Sequence, residues 1–317
     1  MINRELTYKS YNLAPNQFIF WTPPPEQFLH VGPNQNMIPL PSCPLPIKRS
    51  EPTGFPSVTA IGEGVYEYLR RFPDCENNKI YAEILRDAFP HYLADLGANA
   101  VLLDAKDVEP AYIVRKLTAL KILSLLDPQN QGLLIQLCDG FYKLALTFSE
   151  LSECHQNLVN AIRYGQELLK HDPANQSTLQ ILAEIDMLYC DYPAALLKWR
   201  QLKSLSNDPK LVGKVDKQIA KCLASHFPEK SLVEELEAIG TAMQLYSAKN
   251  YDMAVYILER IEQDEYLMDE FSSADFYCLL GMSRMKAGDL AGAHEALHRA
   301  LDIDPGHQLS IQSLENI

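Results

Sequence analysis

The chain has 317 residues, 47% hydrophobic and 22% charged, with a formal net charge of −13. That length admits a large core or about two domains, and the composition is that of a folded, soluble protein. No apolar run reaches the roughly 18 residues of a membrane span. The acidity is steepest over residues 231–317, with sixteen acidic against five basic groups, which argues against a nucleic-acid partner, whose phosphates need a basic face.

The opening stretch, MINRELTYKSYNLAPNQ, carries no apolar signal core, so the expected location is cytoplasmic. Seven cysteines, an odd number with no C-x-x-C pair, read as free thiols packed as small hydrophobes in a reducing compartment.

Residues 1–57 hold eleven of the twenty prolines. Proline fixes φ and removes a backbone donor, which excludes a long helix or a central strand. Yet Tyr8, Tyr11, Phe18, Phe20, Trp21, Phe28 and Phe55 are too many aromatics for a disordered tail. The segment is predicted to be an extended, polyproline-like arm. It would lie on its own helical body or on another subunit, with Phe18, Phe20, Trp21 and Phe28 as its contact residues. Docking on a second copy would make a homo-oligomer.

From residue 58 the pattern changes to apolar residues at steps of three and four. Helices are predicted at 59–71, 78–89, 91–103, 109–126, 131–149, 153–170, 175–189, 193–205, 209–225, 231–248, 251–263, 272–287 and 290–302. Asp127-Pro128, Asp172-Pro173 and Asp208-Pro209 punctuate them. No stretch is rich in β-formers, so the fold class is all-α, with a helical lead-in at 58–108 and an array of helix pairs over 109–317.

The last pair places Tyr277, Leu280, Gly281, Gly288, Ala293, Leu297, Ala300 and Pro305 at fixed spacings. The pair before it has Ala238, Ala242, Leu245, Tyr251, Ala254, Leu258 and Ile261, and an earlier one Leu179, Leu182, Ala183, Tyr192, Ala195, Trp199 and Leu202. A weaker fourth ends with Ala161, Leu168 and Pro173, with Gly165 where a bulky residue is usual. This pattern resembles the tetratricopeptide repeat, most closely in the last third; Arg284 stands where the repeat has a bulky residue. The resemblance implies a right-handed α-solenoid in which neighbouring units share their cores, and its small-residue style is similar to that of bacterial members. Ala195 and Ala254 lie 59 residues apart, which leaves room for one extra helix near 209–225.

In that family the first helix of each pair lines a groove that holds a partner segment. Carried onto this chain, the groove residues are Gln180, Glu184, Met187 and Leu188; Ile239, Met243, Tyr246 and Ser247; and Cys278, Met282, Met285 and Lys286. Methionine and aromatic side chains suit adaptable apolar contacts. The extra helix carries Lys210, Lys214, Lys217 and Lys221 on one stripe, with Leu211, Val215, Ile219, Cys222 and Leu223 opposite. The stripe reads as a solvated amphipathic face or as a basic patch for an acidic tail.

His294-Glu295-Ala296-Leu297-His298 spells H-E-x-x-H, the zinc-peptidase pentapeptide. A peptidase needs a third ligand and a cleft, and the repeat accounts for the same residues, so the histidines read as an exposed, incidental pair. Gly62 and Gly64 follow no strand pattern and form no phosphate loop. There is no G-x-S-x-G and no Rossmann turn, and no cofactor or metal is expected. The sequence predicts a non-enzymatic scaffold, adaptor or dedicated chaperone that binds a protein segment. The alternatives are an accessory subunit of an enzyme or secretion complex whose arm docks on a neighbour and, remotely, a zinc hydrolase built on His294, Glu295 and His298.

Overall fold

In the computed structural model, the proline-rich segment is paired rather than free. Residues 17–32, 35–49, 55–104, 110–224, 228 and 230–317 are described. Four short strands form: β1 (Phe18–Trp21), β2 (Phe28–Val31), β3 (Asn36–Pro39) and β4 (Leu45–Lys48). β1 runs antiparallel to β4, with Phe18 opposite Lys48 and Trp21 opposite Leu45; β2 runs antiparallel to β3, with Phe28 opposite Pro39. Proline is compatible with this because each pair has only two strands, and half the donors of an edge strand face outward. The composition excluded a central strand but not these edge pairs. Tyr8 and Tyr11 lie outside the described residues, as does the expected domain boundary at 108 and 109.

The described residues divide into two units, those up to residue 140 together with 164–173, and residues 141–163 together with those from 174 onward. The first contains the strands and helices α1 (Val58–Arg71), α2 (Asn78–Ala88), α3 (Pro90–Asp104) and α4 (Pro110–Leu126). β4 packs on α1, burying Leu45 and Ile47. Gly64 permits the approach: a Cβ there would lie 2.1 Å from the Pro46 carbonyl oxygen. Phe18 is buried, and its ring meets Tyr68 edge-on at 5.2 Å. The Tyr81 hydroxyl donates to the Pro44 carbonyl at 2.5 Å. The segment is thus held in cis, on the chain's own helices.

α5 (Gln131–Ala145) is followed by a 3₁₀ helix (Phe148–Glu153) and α6 (Cys154–His171). Then come α7 (Gln176–Leu188), α8 (Tyr192–Leu205), α9 (Pro209–Cys222), α10 (Leu232–Ser247), α11 (Tyr251–Glu262), α12 (Glu265–Phe271), α13 (Ala274–Ala287), α14 (Leu290–Ile303) and α15 (Gln308–Leu314). Consecutive packing of α7 on α8, α10 on α11 and α13 on α14 makes this a helical array. Side-chain caps start most of these helices. Asn175 accepts from Thr178 N–H at 3.1 Å, Asp191 from Ala194 at 3.1 Å, Ser231 from Glu234 at 3.2 Å and Asp289 from Gly292 at 2.9 Å. Asn175 is therefore a cap. The helices α12 and α15 and the 3₁₀ turn have no counterpart among the predicted helices; all three are pieces of six or seven residues, too short to show a period.

One turn recurs three times. Cys190, Lys249 and Gly288 each adopt positive φ, of 59°, 63° and 95°, two residues before a second helix. The next N–H donates back into the first helix: Asp191 to the Asp186 carbonyl, Asn250 to Leu245 and Asp289 to Arg284. This is the six-to-one bond of a Schellman stop. Seven residues before each turn stands a small buried residue, Ala183, Ala242 or Gly281, and five after it Ala195, Ala254 or Ala293. A Cβ on Gly281 would come within 2.7 Å of the Leu297 side chain, so the helices meet at van der Waals limits.

Candidate interaction surface

The first helices of the three turns, α7, α10 and α13, carry the expected groove residues, and the structure sorts them by exposure. Leu188, Ile239, Met243 and Cys278 are buried at 5%, 3%, 4% and 2%. Gln180, Glu184, Met187, Tyr246, Met282 and Met285 are half-buried, and Ser247 and Lys286 exposed. Four expected groove residues are therefore core. These first helices do not each keep one open face, because they are packed on more than one side. Cys278 lies in a cluster with Ala274, Leu297 and Ala300, against which Met282 and Leu314 of α15 pack. α10 is packed by the 3₁₀ helix, α11 and α13. Met187 accepts the Trp199 indole N–H on its sulfur at 3.4 Å and joins the α7–α9 core.

What stays accessible on α7 is polar and tied into two networks the sequence reading missed. Gln180 donates to Glu184 at 2.9 Å, and Glu184 also bonds the Tyr142 hydroxyl, whose pKa is raised by burial and then by that carboxylate. At the C-terminal end of α7, the Tyr189 hydroxyl and His155 Nδ1 share a hydrogen bond of 2.9 Å. The backbone N–H of His155 donates to Glu237 Oε1 of α10 at 3.0 Å. Burial pushes the Tyr189 phenol up to about 12, with Cys154 and Glu237 adding to it. Nothing local in the sequence joins residues 155, 189 and 237, so no spacing rule could have found them.

Charge fills the odd positions of the repeat. Arg284 reaches both Glu259, at 2.9 Å, and Glu262, at 3.5 Å, and donates to the Gly292 carbonyl at 3.3 Å. Asp186, at the equivalent place in α7, pairs with Lys198 of α8. Glu235, only 3% exposed, takes both nitrogens of Arg260, at 2.8 and 2.6 Å.

On α9, Val215 and Cys222 are buried against α7 and α8, with Leu211 and Ile219 beside them. Leu223 is not on that face; it is 61% exposed, as the residue ending the helix. Lys210, Lys214, Lys217 and Lys221 are all exposed. Lys221 pairs with Glu270 of α12, and neighbouring Lys203 pairs with Asp216 at 2.6 Å. Lys210, Lys214 and Lys217 have no ion pair among the described residues, and Gly213 between them faces open space. Of the arm residues, Phe18 is buried, Trp21 half-buried against Phe55, and Phe20 and Phe28 exposed at 53% and 38%.

His294 and His298 are exposed on α14, and Glu295 bonds Arg299 at 3.2 Å. Among the described residues no group of three or more His, Cys, Asp or Glu is arranged to hold a metal ion.

Residues 274–307, which span α13, the glycine turn and α14, match the family model described as Tetratricopeptide repeat. This helix pair is similar to a tetratricopeptide repeat. Its match covers the unit whose stop residue is glycine; the turns at Cys190 and Lys249 repeat the same backbone path around the tetratricopeptide set of small residues. Tetratricopeptide repeats are protein-interaction modules and typically non-enzymatic. No curated protein matches the chain. Among the described residues no helix is long and apolar enough to cross a membrane.

Proposed function

We propose that this protein is a non-catalytic scaffold, an adaptor or dedicated chaperone, that binds a segment of a protein partner across its first helices. The observation that carries this reading is the repeated helix–turn–helix unit with its tetratricopeptide match at 274–307. The accessible contact residues are Gln180, Glu184, Tyr246, Met285 and Lys286, and the exposed lysines of α9 offer a separate contact for an acidic segment. Recognition here is burial and charge pairing, with no bond made or broken.

The test is capture from native lysate with the full chain, with Met285→Ala/Lys286→Glu, and with Lys210→Glu/Lys214→Glu/Lys217→Glu. A stoichiometric partner held by the wild type and lost from the first variant, with unchanged thermal unfolding, supports the first-helix surface. Loss from the lysine variant alone moves recognition to α9. Absence of any stoichiometric partner retires the scaffold reading.

One observation favours the accessory-subunit reading: Phe20, Met37 and Phe55 are 53%, 59% and 61% exposed beside the paired strands. Because Phe18, Leu29, Leu45 and Ile47 are buried, deleting residues 1–57 would strip the core. Phe20→Ser with Met37→Ser is the cleaner probe, and a partner lost only from that variant would place docking on the strands.

A further inference from the structure

We propose that His294 and His298 form a two-histidine chelate for a divalent transition-metal ion of the zinc, nickel and copper group. They stand four apart on α14, so their side chains emerge one turn apart on one face. Their Nε2 atoms face each other at 3.2 Å, with ring centroids 4.3 Å apart and planes inclined by 55°. Zinc–imidazole bonds are about 2.0–2.1 Å, so two nitrogens on one ion lie about 2.9 Å apart at a right angle and about 3.3–3.4 Å apart at the tetrahedral angle. The observed separation falls between these, so the two nitrogens already stand at chelating distance.

Both rings are exposed, so their ligand nitrogens are reachable from water. Without metal the rings share a single N–H···N bond, which an incoming ion replaces by two coordinate bonds. Imidazole suits all three metals, and the usual affinity order places copper first. Glu295 is held by Arg299, which also binds Glu262 at 2.5 Å and stacks over Tyr277. The H-E-x-x-H glutamate is therefore committed to a structural pair rather than poised over the histidines. With two protein ligands the site binds metal and leaves the other positions to water; it does not make a peptidase. An ion held by the folded helix and not by the unfolded chain also stabilises the fold.

The experiment uses the full-length, chelator-stripped protein with its accessible thiols blocked by alkylation, titrated calorimetrically with copper, nickel and zinc sulfate. The comparison variants are His294→Ala and His298→Ala, whose exposed positions leave the core untouched. One ion should bind the wild type, tightest for copper, and each variant should weaken it at least tenfold. The copper spectrum by electron paramagnetic resonance should show two nitrogen couplings in the wild type and one in either variant. Copper bound equally by wild type and His298→Ala overturns the assignment, as does no binding at all.

Discussion

Gly240 of α10 lies against the backbone of Ser152, so that a methyl group on it would fall 2.3 Å from the Ser152 nitrogen. The opposing atoms are main chain and cannot swing aside. Gly240→Ala should therefore cost about 1–3 kcal/mol, the usual penalty of overpacking. Gly213→Ala, at a helical glycine with open space around it, should instead stabilise by about 0.5–1 kcal/mol. Denaturant midpoints of the two variants should move in opposite directions; a neutral Gly240→Ala would mean that α10 and the 3₁₀ helix are not so closely apposed.

Lys249 holds a left-handed conformation, φ 63°, where the last repeat uses Gly288. An L side chain there costs about 1–2 kcal/mol relative to the right-handed region. Lys249→Gly should raise the thermal midpoint by relieving part of that cost, net of the extra entropy of glycine in the unfolded chain. A lowered midpoint would show that the lysine side chain supplies a compensating contact.

Arg284 is 14% exposed, while its partners Glu259 and Glu262 are 43% and 18% exposed. Arg284→Ala should lose about 1–2 kcal/mol, less than a wholly buried pair because water reaches Glu259. Arg284→Leu should recover much of the loss by refilling the place where the repeat has a bulky side chain. Equal losses in the two variants, read from urea unfolding, would argue that charge rather than volume decides this site.

All seven cysteines are free, but their environments differ. Burial pushes the Cys138 and Cys154 thiols up to about 12, so at pH 8 almost none of either is thiolate, and thiolate is the reactive form. A colorimetric thiol titration of the native protein should leave both unmodified, whereas denaturant should release seven equivalents. Rapid native labelling of Cys154 would show that the start of α6 opens readily.

Much of this architecture was legible because its signals are local. Asp208-Pro209 announces a helix start, which Asp208 caps by accepting from the Lys210 N–H, and Gly281, Ala293 and Leu297 mark a close helix pair whose small and large residues interlock. The four strands were hidden because β-propensity reports packing context more than backbone preference, and prolines in two-stranded pairs look like prolines in a free arm. The groove was the least legible part. Ile239 and Cys278 have the same spacing as open groove positions, and what buries them is decided by distant elements, as α15 decides for Cys278. The His155–Tyr189–Glu237 contact spans three elements in the same way.

The Glu237 carboxylate accepts from the His155 N–H across 82 residues of sequence, and this bears on how the chain is made. The first N–H groups of a helix have no partner within it, so this donor of α6 waits for α10. At roughly 5–20 residues per second of synthesis, the carboxylate follows some ~4–16 seconds behind the amide it serves. During translation the start of α6 is thus left to water until α10 emerges. A ribosome stalled between the two helices should display a nascent chain whose His155 amide exchanges freely, and elongation that brings α10 clear of the exit tunnel should protect it.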